Sequence, residues 1–134
     1  MLHRIAPVAN DVGRARDARI ERARAAIAER PAERWTVGKL AKVAGLSRAA
    51  FARRFAAELG VTPLRYVATV RLRRAAQILV ADDASLAVVA AEVGYATEFA
   101  LSRAFRRLVG EPPGAYRRRV RGDTLPAAPR CLAA

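Results

Sequence analysis

Apolar residues along the chain recur at intervals of three and four, and no stretch alternates convincingly with period two, so the pattern predicts an all-α protein. Ile20, Ala23 and Ile27 mark a first helix from Asp17 to Glu29, ended by Pro31. Thr36 offers an N-cap for a short helix through Ala44, with Val37, Leu40, Ala41 and Ala44 on one stripe and Gly45 as its stop. Ser47 caps the next helix, which runs to about Leu59 before Gly60. Thr62-Pro63, a cap followed by proline at the first helical position, opens a longer helix to about Ala81, broken by Asp82-Asp83. Ser85 caps a short helix to Val93, Thr97 opens another to Val109, and Gly94 and Gly110 stop them. Glu111-Pro112-Pro113 start a last helix through about Arg119. About seven helices are expected: a flexible arm at 1–15, a first subdomain at 16–61, a linker helix at 62–81, a second subdomain at 82–121 and a flexible tail at 122–134.

The pattern repeats. Thr36, Val37, Leu40, Ala41 and Gly45 align with Ser85, Leu86, Val89, Ala90 and Gly94. One inserted residue after Gly94 shifts the register, and Ser47, Phe51, Arg53 and Phe55 then meet Thr97, Leu101, Arg103 and Phe105. Gly60, Pro63 and Tyr66 continue onto Gly110, Pro113 and Tyr116. Coincidence among alanine-rich helices does not match caps, stops and aromatics in order, and two copies are too few for a solenoid. Each copy is a capped short helix, a glycine turn and a second capped helix, the layout of helix-turn-helix readers.

Charge changes the picture from a fold to a partner. The 134 residues carry 25 Lys plus Arg against 12 Asp plus Glu, a net +13, which points to a polyanion. Lysine supplies only Lys39 and Lys42, so the positive charge is almost all arginine. One cysteine, Cys131, and one histidine, His3, exclude a disulfide framework, a multi-cysteine zinc site and a histidine triad. No Gly-rich phosphate loop is present and carboxylates such as Glu58 and Glu92 sit singly on helices, so no catalytic residue, metal or cofactor is expected and the protein reads as a non-enzyme. An alkyl-accepting thiol at Cys131 would lack a neighbouring base. With no long apolar run and no apolar segment near the start, no membrane partner is expected and the location is read as cytoplasmic.

Phe51, Phe55 and Leu59 form one stripe of their helix, and Arg53 lies about 200° from Phe51, pointing away. In the second copy Leu101, Phe105 and Val109 form the stripe, with Phe99, Arg103, Arg106 and Arg107 facing outward. An α-helix fits the major groove and arginine binds guanine bidentately, which makes Arg53 and Arg103 candidate base readers. Ala49 and Ala52 offer small apolar contacts, as to a thymine methyl. Phe99 either does the same or packs on the preceding short helix; Glu98 either accepts from cytosine or pairs with its own helix dipole. Ser47 and Thr97 place helix N-termini near phosphates. Lys39, Lys42, Arg48, Arg54, Arg106, Arg107 and the cluster Arg117, Arg118, Arg119 and Arg121 are candidate phosphate contacts, the cluster being alternatively a solvated charge run. The linker helix would span about 28 Å against about 34 Å for a turn of B-DNA, so one chain could address two successive major grooves without a palindrome. The competing class is a non-specific nucleic-acid-binding or packaging protein, which needs no ordered reading face.

Trp35-Thr36-Val37, Leu40-Ala41 and Gly45-Leu46-Ser47 with Phe51, Arg53 and Phe55 resemble the first half of the AraC/XylS-type DNA-binding domain. Ala90-Ala91-Glu92-Val93-Gly94-Tyr95, Phe99, Ser102-Arg103-Ala104-Phe105, Gly110, Pro113 and Tyr116 resemble its C-terminal signature. The resemblance covers roughly residues 18–119. It implies a two-lobed, seven-helix bacterial transcription regulator, often an activator touching RNA polymerase, bound to double-stranded promoter DNA and so nucleoid-associated. It also implies base reading at Ala49, Ala52 and Arg53, and at Glu98, Phe99, Ser102 and Arg103. Ala49 is small for that role. Many relatives carry an effector-binding and dimerising domain, which the 35 residues before Thr36 cannot make. The expectation is therefore a stand-alone regulator or the DNA-binding piece of a longer one.

Overall fold

A computed structural model describes residues 16–122. Among them are seven helices and no strand: α1 (Ala18–Glu29), α2 (Val37–Ala44), α3 (Arg48–Leu59), α4 (Pro63–Ala81), α5 (Leu86–Val93), α6 (Glu98–Val109) and α7 (Pro113–Arg121). The arm expected at 1–15 and the tail from 123 onward, with His3 and Cys131, lie outside the described residues.

Local chemistry sets the boundaries. The side chains of Thr36, Ser47, Thr62, Ser85 and Thr97 each accept the N–H three residues on, satisfying a donor that has no partner within its helix. Asp17 is the N-cap of α1 rather than its first helical residue, its carboxylate accepting from Arg19 N. The last helix runs to Arg121, two residues further than expected. Cations at Arg118, Arg119 and Arg121 suit the negative end of the helix dipole, and Gly122 closes it.

Two cores form. Ile20, Ala23 and Ile27 of α1, Trp35 of the loop before α2, Leu40 and Ala44 of α2, and Phe51 and Phe55 of α3 pack with Tyr66 and Val67 of α4. Leu72, Ala75 and Leu79 of α4 pack with Val89 and Val93 of α5, Leu101 and Phe105 of α6, and Tyr116 of α7. The repeat survives in the packing. Phe55 meets Tyr66 edge-on at 5.5 Å between ring centroids, and Phe105 meets Tyr116 at 5.3 Å. Each such pair adds about 0.5–1.5 kcal/mol beyond its buried area.

The expected linker is therefore a core helix of both lobes. At about 100° per residue, Pro63, Tyr66, Val67 and Val70 share one side of α4, while Leu72, Ala75, Ala76 and Leu79 share the opposite side. The first lobe packs on one face near the helix start, the second on the other face near its end.

Three arginines hold backbone rather than ligand. Arg22 of α1 donates from Nη2 to Ala44 O at 3.1 Å, at the C-terminus of α2. Arg71 of α4 donates to Pro31 O at 2.7 Å and Glu33 O at 2.8 Å. Arg117 of α7 donates to the carbonyls of Leu79, Asp82 and Ala84 at 2.9, 3.1 and 2.8 Å. Arg22 and Arg117 reach carbonyls in the last turns of α2 and α4, which a helix end leaves without partners, while Arg71 and the rest of the Arg117 fork pin the loops that follow α1 and α4.

Candidate nucleic-acid interface

In α3 the buried stripe is Phe51, Phe55 and Leu59, and in α6 it is Leu101, Phe105 and Val109. Burying those stripes turns the opposite faces outward. Arg53 and Arg103 are exposed at equivalent positions, and neither has a hydrogen-bond or ion-pair partner among the described residues. Ala49 is exposed, and Ala52, Glu98 and Ser102 are half-buried beside the two arginines. Phe99 is 67% exposed, so its ring is not packed against α5 and stands free at the start of the second outward face. Glu98 lies in the first turn of α6, where its charge meets the positive end of the helix.

The cap hydroxyls of Ser47 and Thr97 accept from Ala50 N and Ala100 N at 3.1 and 3.0 Å. Each keeps its O–H as a donor for an incoming oxygen. Lys42, Arg48, Arg106 and Arg118 are exposed and unpaired among the described residues, and Arg107 is exposed beside them on α6. These cations and the two arginine-bearing faces can meet phosphate without first surrendering an internal bond.

Five candidate phosphate contacts are otherwise engaged. Lys39 pairs with Glu33 at 2.9 Å and holds that carboxyl below its usual range. Arg54 donates to Asp17 at 3.3 Å, tying α3 to the cap of α1, while Glu58 of α3 accepts from Asp17 N at 3.1 Å. Hydrogen bonds from Arg19, joined by the nearby Arg54 charge, pull the Asp17 carboxyl down to about 2. Arg119 pairs with Glu111, and Arg121 with Asp83 at 2.8 Å, lowering the Asp83 pKa. Arg117 departs furthest from expectation, because its guanidinium is committed to three carbonyls. The residue that spacing overlooked is Arg71. Its signal was an arginine in line with buried Val67 and Ala75, four residues to either side.

Nothing among the described residues gathers three or more metal-ligating side chains, and no helix is long and apolar enough to cross a membrane. A cleft of about 560 Å³ between α1, α4 and α5 is lined by Ala28, Glu29, Pro31, Arg74, Gln77 and Glu92. Its charged lining is unlike the largely apolar wall of a small-molecule site.

Residues 40–119 match a family described as a helix-turn-helix domain. The chain is 48% identical over 88 residues to a Streptomyces lividans protein described as an AraC-like transcription regulator, covering 66% of this chain and 29% of that protein. It is 44% identical over 93 residues to the RCS-specific HTH-type transcriptional activator RclR of Escherichia coli K12, covering 69% of this chain and 33% of that one. It thus spans about a third of the length of these curated relatives. Among solved structures, the DNA-binding domain of the global transcriptional factor AdpA, in complex with a target DNA, superposes with a TM-score of 0.72 at 34% identity, over 78% of this chain and 97% of that one. With the family's pattern running through both lobes and the fold matched across both, the chain belongs to the AraC-type helix-turn-helix family and has the all-α fold of that family's DNA-binding domains.

Proposed function

We infer that this chain binds duplex DNA sequence-specifically and regulates transcription, reading successive major grooves with α3 and α6. One observation carries the reading: Arg53 and Arg103 stand at equivalent positions on the outward faces of two repeated helices, exposed and unpartnered among the described residues. Arginine's fork matches guanine O6 and N7, and the small or apolar neighbours Ala49, Ala52 and Phe99 suit thymine methyls. Glu98 and Ser102 complete the second reading edge. Ser47, Thr97, Lys42, Arg48, Arg106, Arg107 and Arg118 hold phosphates, joined by Lys39 and Arg54 where phosphate displaces their carboxylate partners.

Activation through a contact with RNA polymerase at a bacterial promoter is the mode we propose, in line with RclR, which is named an activator. The chain acts as a binding protein, not an enzyme, in the cytoplasm and on the nucleoid. An effector or a further domain, where one operates, lies beyond the lobes described.

Selection from a random-sequence duplex library at about 0.15 M salt tests the reading, since non-specific binding is already weak there. The expected product is a two-part, non-palindromic motif with its parts about 10 base pairs apart. Binding that enriches nothing and fades steeply with salt would favour the packaging class instead.

A further inference from the structure

The two helix-turn-helix turns are built alike but sit differently. Gly45 and Gly94 both close their short helices at positive φ, +76° and +100°. A Cβ on Gly45 would meet only Arg22 Nη2, at 3.8 Å. On Gly94 it would lie 2.8 Å from Ala32 Cα and 3.0 Å from Arg71 Cζ. The second turn is thus pressed against backbone of the first lobe, and only glycine leaves room there. The extra residue of the second repeat falls here too: Tyr95 and Ala96 separate Gly94 from the cap Thr97, where Leu46 alone separates Gly45 from Ser47.

Arg71 sits in the seam. By helical arithmetic it points about midway between the two opposite apolar faces of α4. Its Nε and Nη2 bind the carbonyls of Pro31 and Glu33 in the loop that feeds α2. Its guanidinium also lies 5.5 Å from the centroid of the half-buried Tyr95 ring, three residues before α6 begins. One side chain therefore grips the entrance to the first helix-turn-helix and the turn of the second.

We propose that Arg71, with its seat at Gly94, is a positioning residue that fixes the separation and phase of the two reading helices, and so sets the spacing the protein accepts between the two parts of its DNA site. The proposal rests on the two-groove reading above. A shared helix relates the two lobes only through their separate cores on its opposite faces; a contact between the loop of one lobe and the turn of the other ties them to each other directly. One base pair moves the second groove by about 3.4 Å and turns it by about 35°, an error that a locked pair of lobes cannot absorb.

The test measures affinity for duplexes carrying the selected motif at its own spacing and with one base pair added or removed. Wild type should lose about ten-fold or more at either altered spacing, the penalty of a mismatched contact, whereas Arg71→Ala should lose less than about three-fold while still requiring both half-motifs. Arg71→Lys keeps the charge but not the fork on two carbonyls, and should flatten the profile as well. Each ratio is taken within one preparation, so partial unfolding of a variant cancels. A profile as sharp in both variants as in wild type, or a flat profile in wild type itself, would overturn the proposal and leave two-groove reading intact. Indifference of wild type to scrambling both half-motifs at native spacing marks failure of the reading instead, and the proposal falls with it.

Discussion

An arginine's value here depends on what its guanidinium already holds. Arg53 and Arg103 hold nothing among the described residues, so their five donors remain for a ligand. Arg53→Ala and Arg103→Ala should each cost about 1–3 kcal/mol on the cognate duplex and relax preference at one position, with little change on random DNA. Arg118→Ala should weaken every duplex alike and lower the salt slope by about one. Titrations on cognate and random duplexes at several salt concentrations separate the two kinds; equal losses on both duplexes for the two reader variants would refute the base-reading assignment. This division was only half legible in the sequence. The repeat singled out Arg53 and Arg103, because equivalence by register is a local fact. Nothing local distinguishes Arg118 from Arg117, since the carbonyls that capture Arg117 come from Leu79, Asp82 and Ala84, more than thirty residues earlier.

At the scale of elements, boundaries were the most readable feature, since a cap hydroxyl, a proline and a glycine act within one turn. Less readable were the ion pairs that dock one element on another. Asp17 joins α1 to α3 through Arg54, Glu33 joins the α1–α2 loop to Lys39 of α2, and Asp83 joins the α4–α5 loop to Arg121 of α7. All three carboxyls are lowered: Asp17 to about 2, chiefly by hydrogen bonds from Arg19 of its own helix with the Arg54 charge adding the smallest share, Glu33 by Lys39 and Asp83 by Arg121. Because folding lowers these pKa values, the unfolded chain binds protons more tightly. The stabilisation is therefore complete above the ordinary carboxylate range of about 4 and is lost as pH falls through the lowered values. The thermal midpoint should fall between pH about 4 and 2, and Asp17→Asn, which keeps a capping oxygen without the charge, should shallow that fall. Thermal scans across this range decide it, and a slope unchanged by Asp17→Asn would show that the lowered Asp17 carboxyl contributes nothing to stability.

Over the whole molecule, α4 reads in sequence as a spacer because its apolar residues surround the helix instead of forming one stripe. That pattern is two stripes in succession on opposite faces, one for each lobe. Each lobe consequently has its own small core, and small cores are marginal. Phe55 and Phe105 are fully buried equivalents, one in each core, and truncating either to alanine removes about 3–5 kcal/mol from that lobe. A lobe of three helices on a shared fourth has little stability in reserve against such a loss. Phe105→Ala should therefore release the backbone amides of α5–α7 to exchange with solvent while α1–α3 and the start of α4 stay protected. Phe55→Ala should do the reverse. The Arg71 contact does not oppose this outcome, since it orients the lobes through a few bonds and buries little of either core. Native-state hydrogen exchange on the two variants resolves the question helix by helix. Acceleration spread evenly over both lobes by either substitution would mean that the chain unfolds as one cooperative unit, with α4 carrying the loss from one core into the other.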